Sequence, residues 1–232
     1  MTAVTKPLQT YPVVGAFIKC QVGWLIVLSV LFPFLVTALR ADTSGTDAKR
    51  VVVLGDSLAA GYGVEPQEAF PALLQQKVDA SGLRFTVVNA GVSGNTSADG
   101  LARIDWLLKR KMDVLVLELG GNDGLRGVPV TAMRDNLQAI IERVKQRYPE
   151  ARILVAGMRL PPNLGLDYTD AFRKVFPELA KKNNATLIPF LLEGVGGKPQ
   201  LNQDDHIHPT ADGHKIVAEN VWKVLKPVLE KP

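Results

Sequence analysis

Short apolar runs alternate with longer amphipathic segments along most of this chain. The runs predict five strands, which are Arg50–Leu54, Arg84–Val88, Asp113–Leu119, Arg152–Ala156 and Thr186–Pro189. Apolar residues at helical spacing predict five helices, which are Pro66–Ala80, Ser97–Lys111, Val130–Arg147, Tyr168–Asn183 and Pro209–Leu229. Strands separated by helices form βαβ units with parallel strands. With right-handed crossovers, this pattern predicts a three-layer α/β/α, flavodoxin-like fold whose five-stranded parallel sheet has the order 2-1-3-4-5.

The first predicted strand ends at the most informative position of the chain. Val51–Leu54 is apolar without alternation, as in a strand buried on both faces, and it runs directly into Gly55-Asp56-Ser57-Leu58. Open parallel sheets bind ligands beyond the carboxyl ends of their strands, so Ser57 stands where a nucleophile could act. Because Asp, Ser and Gly after a strand usually form only a turn, other residues must support a catalytic role.

A base for Ser57 would have to come from the C-terminal region. The three histidines of the chain are His206, His208 and His214. Asp205 precedes His208 by three residues, so one turn of chain can place the carboxylate beside the imidazole. The carboxylate would hold one ring N–H and leave the other nitrogen free to accept the serine proton. A metal site is the alternative for this cluster, but no fourth ligand is evident.

Segments rich in glycine and asparagine follow the second and third predicted strands. They are Asn89–Ser97 and Gly120–Gly124. Glycine lets backbone N–H groups approach a ligand closely, and an asparagine amide adds a donor, as an acyl-transfer site needs for its oxyanion. Ser93 is a rival nucleophile, but Asn95 leaves the Gly-x-Ser-x-Gly elbow incomplete. Neither segment contains the Gly-x-x-x-x-Gly-Lys pattern of a phosphate-binding loop.

Four sequence blocks together resemble those of the GDSL, or SGNH, hydrolases. The blocks are Gly55-Asp56-Ser57-Leu58, the loop that contains Gly94, Gly120-x-Asn122-Asp123, and Asp205-x-x-His208-Pro209. Their order and rough spacing match the family, and the similarity covers roughly residues 50–229. In detail the blocks are similar to the bacterial branch that contains thioesterase I, also called lysophospholipase L1, and its arylesterase relatives.

The resemblance implies a role for each block. Ser57 would be the nucleophile, with His208 as its base and Asp205 as the acid that completes the triad. The oxyanion hole would consist of the backbone N–H groups of Ser57 and Gly94 and the side-chain amide of Asn122. Every one of these positions holds the residue type that the family pattern requires.

Other residues are expected to support or border this site. Asp56 and Asp123 would hold the loops in place without reacting. Relatives often carry glycine where this chain has His206, a local departure that leaves the triad intact. A loop rich in proline and glycine follows the fourth strand at the same sheet edge, and three of its residues are expected to contact the acyl group: Leu160, Pro161 and Leu164.

The N-terminal region differs from the rest of the chain. The protein has 232 residues and a net charge of +4, but residues 1–41 contain three basic residues and no acid. The remaining 24 basic and 23 acidic residues give only +1, so the basic character is poor evidence for nucleic-acid binding. The apolar stretch Val22–Leu39 follows Lys6 and Lys19 and predicts a signal peptide over residues 1–41, or alternatively an uncleaved membrane anchor. Residues 42–49 would be a linker and residues 50–232 the hydrolase domain.

These observations predict a serine esterase that hydrolyses carboxylic ester and thioester bonds of acyl substrates, without a metal or another cofactor. Its substrate would be a small acyl ester or a lysophospholipid, and nucleic acid is not an expected partner. We expect a monomer in the periplasm or secreted, or alternatively anchored in the inner membrane. Two other functions stay open: a carbohydrate deacetylase of the same family, and a binding module that kept the fold without catalysis. Cys20 is the only cysteine, which excludes an internal disulfide, and it lies within the predicted leader, so a cysteine nucleophile is not expected.

Overall fold

The computed structural model describes residues 48–231, and the predicted signal peptide or anchor over residues 1–41 lies outside them. Five parallel strands form one sheet in the order β2-β1-β3-β4-β5, which confirms the predicted topology. The strands are β1 (Lys49–Gly55), β2 (Phe85–Gly91), β3 (Val114–Glu118), β4 (Arg152–Ala156) and β5 (Thr186–Ile188). The helices are α1 (Ser57–Ala60), α2 (Phe70–Ala80), α3 (Ser97–Leu107), α4 (Gly121–Leu125), α5 (Val130–Arg147), α6 (Leu166–Lys182) and α7 (Ala211–Leu229).

Two helix layers cover the two faces of the sheet. Helix α2 packs against α7 in one layer, and α5 packs between α3 and α6 in the other. Strands β1 and β3 are adjacent in the sheet, and their side chains from Val51 to Gly55 and from Val114 to Glu118 are all buried. Burial on both faces explains why these strands are apolar at nearly every position. The predicted three-layer α/β/α architecture is therefore confirmed.

The element boundaries differ from the sequence prediction at several places. The helix predicted over Pro66–Ala80 is divided into a 3-10 turn, Pro66–Glu68, and α2, because Ala69 between them has an extended backbone. The short helices α1 and α4 were not predicted. Each has five residues or fewer, and each lies in a segment whose glycine, serine and aspartate content is typical of a turn.

The loops that matter for function all meet at one edge of the sheet. Because every strand is parallel to its neighbours, the carboxyl ends of β1, β2, β3 and β4 lie together. Helix α1 follows β1 directly, α4 follows β3, and the Gly94 loop follows β2. None of the helices within residues 48–231 is long and apolar enough to cross a membrane.

A buried histidine joins the α2–α7 layer. His214 lies in the first turns of α7 with 1% of its surface exposed, and its Nδ1 accepts a 3.3 Å hydrogen bond from the Phe70 N–H. The His214 and Phe70 rings are stacked, with centroids 6.4 Å apart. Burial and the His208 charge lower the pKa of His214 to about 4, whereas the nearby Glu68 charge acts in the opposite direction. The residue is therefore a neutral part of the core.

This burial predicts a specific pH dependence of stability. Between pH 6.5 and 4, His214 takes up a proton in the unfolded chain but stays neutral in the folded chain. The free energy of unfolding therefore decreases as the pH falls through this range. In His214→Gln this loss is absent. The unfolding free energy of the wild type relative to the variant should fall by at most about 1.4 kcal/mol per pH unit in that window. Urea unfolding of both proteins at several pH values measures this difference, and a difference independent of pH would contradict it.

Candidate active site

Ser57 lies at the junction of β1 and α1. It is the first residue of α1, and Asp56 is the N-cap, whose Oδ1 accepts a 3.0 Å hydrogen bond from the Leu58 N–H. As the first helical residue, Ser57 has no acceptor for its own N–H within the helix. The turn thus presents both the hydroxyl and the N–H of Ser57 at the carboxyl edge of the sheet.

His208 reaches Ser57 from the loop before α7. The Gln203 N–H donates to the His208 carbonyl at 2.7 Å, and an antiparallel bridge joins Asn202 to Pro209, so the loop is a closed hairpin-like turn. His206 lies in this turn with a φ of +60°, a left-handed conformation that glycine adopts without strain. This backbone requirement gives a physical reason for the glycine that the family pattern often has there.

Asp205, His208 and Ser57 form a continuous hydrogen-bonded chain. The His208 Nδ1 lies 2.6 Å from Asp205 Oδ2, and the His208 Nε2 lies 2.8 Å from the Ser57 Oγ. The other oxygen, Asp205 Oδ1, accepts hydrogen bonds from the N–H groups of Ile207 and His208 at 2.9 and 3.0 Å. Although partial burial raises the pKa of Asp205, these hydrogen bonds and the His208 side chain outweigh it and lower the pKa to about 2. Asp205 is therefore ionised at neutral pH and can hold the Nδ1 proton.

Tyr62 covers the imidazole from the side of α1. Its ring centroid lies 4.6 Å from that of His208, at an interplanar angle of 43°. The Gln203 Nε2 donates to the Tyr62 carbonyl at 2.7 Å and to the Pro209 carbonyl at 3.0 Å, so the segment containing Tyr62 is fastened to the histidine loop. Tyr62 was not identified from the sequence, because a tyrosine between two glycines carries no pattern of its own.

Asn122 joins the three loops that surround Ser57. Its Nδ2 donates to Asp56 Oδ2 at 3.2 Å and to the Asn95 carbonyl at 3.1 Å. The amide is therefore beside both the Ser57 turn and the loop of Gly94. Gly94 has a φ of +81°, and its N–H makes no hydrogen bond within residues 48–231. Ser57, Gly94 and Asn122 therefore lie on three segments that meet at the same edge of the sheet.

Two arginines hold the Gly94 loop in place. The Arg126 Nη2 donates to the Gly94 carbonyl at 3.0 Å. Arg103 reaches under the loop, where its Nη2 donates to the Gly55 carbonyl at 3.0 Å and its Nε to Asn95 Oδ1 at 2.8 Å. These contacts connect the end of β1 to the loop after β2. Neither arginine was identified from the sequence, because a single arginine in a helix is usually a solvated surface residue.

Asp123 is buried and fixes α3 to α4. Its Oδ2 accepts from the Ser97 N–H at 2.7 Å, and its Oδ1 accepts from the Ser97 hydroxyl at 2.6 Å. The Asn136 amide also donates to the Ser97 hydroxyl at 3.1 Å. Asp123 does not contact Ser57 or His208, so its position is that of a residue supporting the Asn122 turn.

Asp56 is buried below Ser57 and next to a second carboxyl group. Burial raises the pKa of Asp56 to about 6, although hydrogen bonds from Leu58 and Asn122 and the charge of His208 act in the opposite direction. The Asp56 N–H donates to Glu118 Oε2 at 3.1 Å. Glu118 ends β3 and is fully buried. This acid was not singled out in the sequence, where it reads as the end of an apolar strand.

The residues expected to bind the acyl group differ in exposure. Leu160 is half-buried and packs against the core, whereas Pro161 and Leu164 are exposed. Six of the large apolar side chains exposed in residues 48–231 lie on segments of the sheet edge that carries Ser57: Tyr62, Val92, Leu125, Leu164, Leu166 and Ile207. Trp106, 70% exposed, lies at the far end of α3 instead. The surface around Ser57 is therefore open and partly apolar.

The alternative sites from the sequence are not assembled. Ser93 is exposed and makes no hydrogen bond to a histidine in the described part of the chain. Over the same residues 48–231, no group of three or more His, Cys, Asp or Glu side chains is arranged to hold a metal ion.

A surface depression of about 470 Å³ at the ends of α3 and α5 contains neither serine nor histidine, and its lining residues are Asp105, Leu108, Lys109, Arg143, Gln146 and Arg147.

Known proteins with similar sequence and structure share this architecture. The GDSL-like lipase/acylhydrolase family model matches residues 53–216. Esterase TesA of Pseudomonas aeruginosa is 42% identical over 193 residues, which are 83% of this chain and 95% of the esterase. The Escherichia coli protein called thioesterase 1/protease 1/lysophospholipase L1 is 42% identical over 205 residues, 87% of this chain and 93% of that protein. The crystal structure of TesA superposes with a TM-score of 0.75 at 41% identity, covering 78% of this chain and 99% of TesA. The chain therefore belongs to the GDSL-like lipase/acylhydrolase family and is a carboxylic ester hydrolase.

Proposed function

We propose that this enzyme hydrolyses acyl esters and thioesters through an acyl-enzyme on Ser57, with His208 and Asp205 as its catalytic partners. The observation that carries the proposal is the chain of hydrogen bonds from Asp205 through His208 to Ser57, with distances of 2.6 and 2.8 Å. If His208 had only a structural role, its Nε2 would not need to lie within hydrogen-bond distance of the Ser57 hydroxyl. The N–H groups of Ser57 and Gly94, together with the Asn122 amide, would provide the oxyanion site for the same serine.

The proposed reaction has two steps. His208 Nε2 accepts the proton of Ser57 as the Ser57 Oγ attacks the substrate carbonyl, and Asp205 stabilises the imidazolium that forms. The N–H groups of Ser57 and Gly94 and the amide of Asn122 stabilise the oxyanion. His208 then protonates the alcohol as it leaves, and a water molecule repeats the same sequence on the acyl-enzyme. A thiolate needs less help from an acid to leave, so a thioester can use the same groups.

The surface around the site supports an apolar acyl group as substrate. Leu164 and Leu166 follow β4, and Leu125 lies in α4, so exposed apolar side chains lie on several segments at the same sheet edge as Ser57. Arg126 lies at the same edge and is exposed, which allows a negatively charged head group nearby. The relatives are named for esterase, thioesterase and lysophospholipase activities, which accords with fatty-acyl esters and lysophospholipids as substrates here.

The sequence of the N-terminal segment supports export of the enzyme. Lys6 and Lys19 precede the apolar stretch Val22–Leu39, which is the order of a secretory signal. A periplasmic or secreted enzyme would meet lipid esters more than cytosolic acyl thioesters. We propose the same division of the chain as the sequence predicts, with a targeting segment over residues 1–41, a linker over residues 42–49 and the hydrolase over residues 50–232.

Removing one member of the hydrogen-bonded chain should abolish most of the activity. Ser57→Ala should lose hydrolysis of p-nitrophenyl butyrate and covalent labelling by a fluorophosphonate.

The proposed oxyanion donor gives a separate prediction. Asn122→Ala should lower kcat by about 10²–10³-fold, because one oxyanion donor is lost. Ser93→Ala is the matched control, since Ser93 is exposed in the neighbouring loop, and it should keep wild-type kcat. Full activity of Ser57→Ala would refute the proposed nucleophile.

A second experiment tests the apolar border of the site. Leu164→Ser should lower kcat/KM for p-nitrophenyl octanoate by about three- to tenfold, because a long acyl chain loses apolar contact, and should change it less than about twofold for the acetate. Trp106→Ser removes an exposed apolar side chain at the opposite end of α3 and should leave both values unchanged. Equal effects of Leu164→Ser on both esters would contradict an acyl-binding role. A preference for acetyl-xylan over every lipid ester would indicate the carbohydrate deacetylase instead.

A further inference from the structure

The buried Glu118 is not used in the proposed reaction, yet it lies directly below the nucleophile turn. It ends β3 with none of its surface exposed, and its register partner on β1 is Gly55. A Cβ atom at Gly55 would overlap the Glu118 carboxyl oxygen and would lie 2.6 Å from the Ala59 Cβ. Only glycine at position 55 therefore leaves room for the acid beneath α1.

We propose that Glu118 is a positioning residue that shares a proton with Asp56 and thereby holds the oxyanion donor Asn122 and the Ser57 turn in their reactive arrangement. The inference rests on the proposed function for its kinetic readout. Glu118 does not touch the substrate position, because Asp56 lies between it and Asn122.

The hydrogen bonds around Asp56 explain how this effect would reach the site. Asp56 Oδ1 accepts from the Leu58 N–H, and Asp56 Oδ2 accepts from Asn122 Nδ2, so one carboxylate fixes α1 and the Asn122 amide together. The Asp56 backbone is itself fixed by its N–H, which donates to Glu118 Oε2 at 3.1 Å. A shift of the Glu118 side chain would therefore move the residue that orients both Ser57 and Asn122.

The second oxygen of Glu118 indicates where the shared proton lies. Glu118 Oε1 is buried, and no N–H or O–H group within residues 48–231 donates a hydrogen bond to it. An unpaired carboxylate oxygen in a fully buried site is unfavourable, whereas a protonated oxygen can donate to the Asp56 carboxylate. Two adjacent buried carboxyl groups also repel each other when both are ionised. One proton for the pair removes both costs.

The charges near the pair favour the proton on Glu118. Burial, the Asp56 charge and a hydrogen bond to the Asp56 side chain raise the pKa of Glu118 well above its usual range, although hydrogen bonds from the backbone N–H groups of Asp56 and Ala59 act in the opposite direction. Asp56 receives N–H donors from Leu58 and Asn122, and the His208 charge also stabilises its ionised form, while Asp123 opposes this. Arg103 reaches the nearby Gly55 carbonyl but makes no ion pair with either acid within the described residues.

Two substitutions of similar size separate the shared proton from simple packing. Glu118→Gln keeps an acceptor for the Asp56 N–H and a donor for the Asp56 carboxylate, so kcat should stay within about threefold of the wild type. Glu118→Met fills the same space without either hydrogen bond. Its kcat for p-nitrophenyl butyrate should fall about ten- to a hundredfold with KM changed less than about threefold, because the oxyanion donor is displaced and substrate contacts are kept.

An infrared spectrum at neutral pH provides a readout that does not depend on activity. The wild type should show the carbonyl band of a buried protonated carboxyl group, and Glu118→Gln should lack it. The proposal is overturned if the wild type lacks this band, if Glu118→Met is as active as the wild type, or if Glu118→Gln loses as much activity as Glu118→Met. If Glu118→Met does not fold, the spectrum and the Glu118→Gln kinetics decide. A wild type without esterase activity would refute the proposed function, while the spectrum would still test the shared proton.

Discussion

The burial of β1 between β2 and β3 is the constraint on which the site depends. A central parallel strand has no freedom to slide, because its backbone pairs on both sides and its side chains from Val51 to Gly55 are all buried. The position of Ser57 at its carboxyl end is therefore fixed by the core of the protein. The Gly94 loop and the Asn122 turn follow the two neighbouring strands, so the same sheet places three segments around one hydroxyl.

The proposed triad is completed in a different way, because His208 comes from a loop 151 residues away along the chain. That loop is closed on itself by backbone hydrogen bonds, and Asp205 accepts from two N–H groups of the same loop while it faces the imidazole. The loop thus holds Asp205 and His208 together as one unit. The contact of His208 with Ser57, the packing of Tyr62 on the imidazole and the hydrogen bond from Gln203 to the Tyr62 carbonyl join this loop to the Ser57 turn.

The sequence was sufficient for the sheet order and for most elements, because long amphipathic helices and fully apolar strands carry strong patterns. It was insufficient where a few residues decide the backbone, as in the break at Ala69 and the short helices α1 and α4. Ser57, His208 and Asp205 were proposed from their positions and spacing as well as from the family resemblance, and the structure brings them within hydrogen-bond distance. Glu118 and Arg103 were not identified from the sequence, because their contacts join segments that are distant along the chain. Such contacts produce no local pattern in the sequence.

Both N–H groups of the Asn122 amide are engaged in the structure, one by Asp56 and one by the Asn95 carbonyl. In the proposed reaction, the oxyanion would therefore share or replace one of these bonds as it forms. The most direct measurement is a crystal structure of the enzyme inactivated by an alkyl fluorophosphonate. Our account predicts phosphorus bonded to the Ser57 Oγ, with one phosphonyl oxygen about 2.7–3.1 Å from the N–H nitrogens of Ser57 and Gly94 and from Asn122 Nδ2. An adduct on another residue, or a phosphonyl oxygen that faces solvent away from these donors, would contradict it.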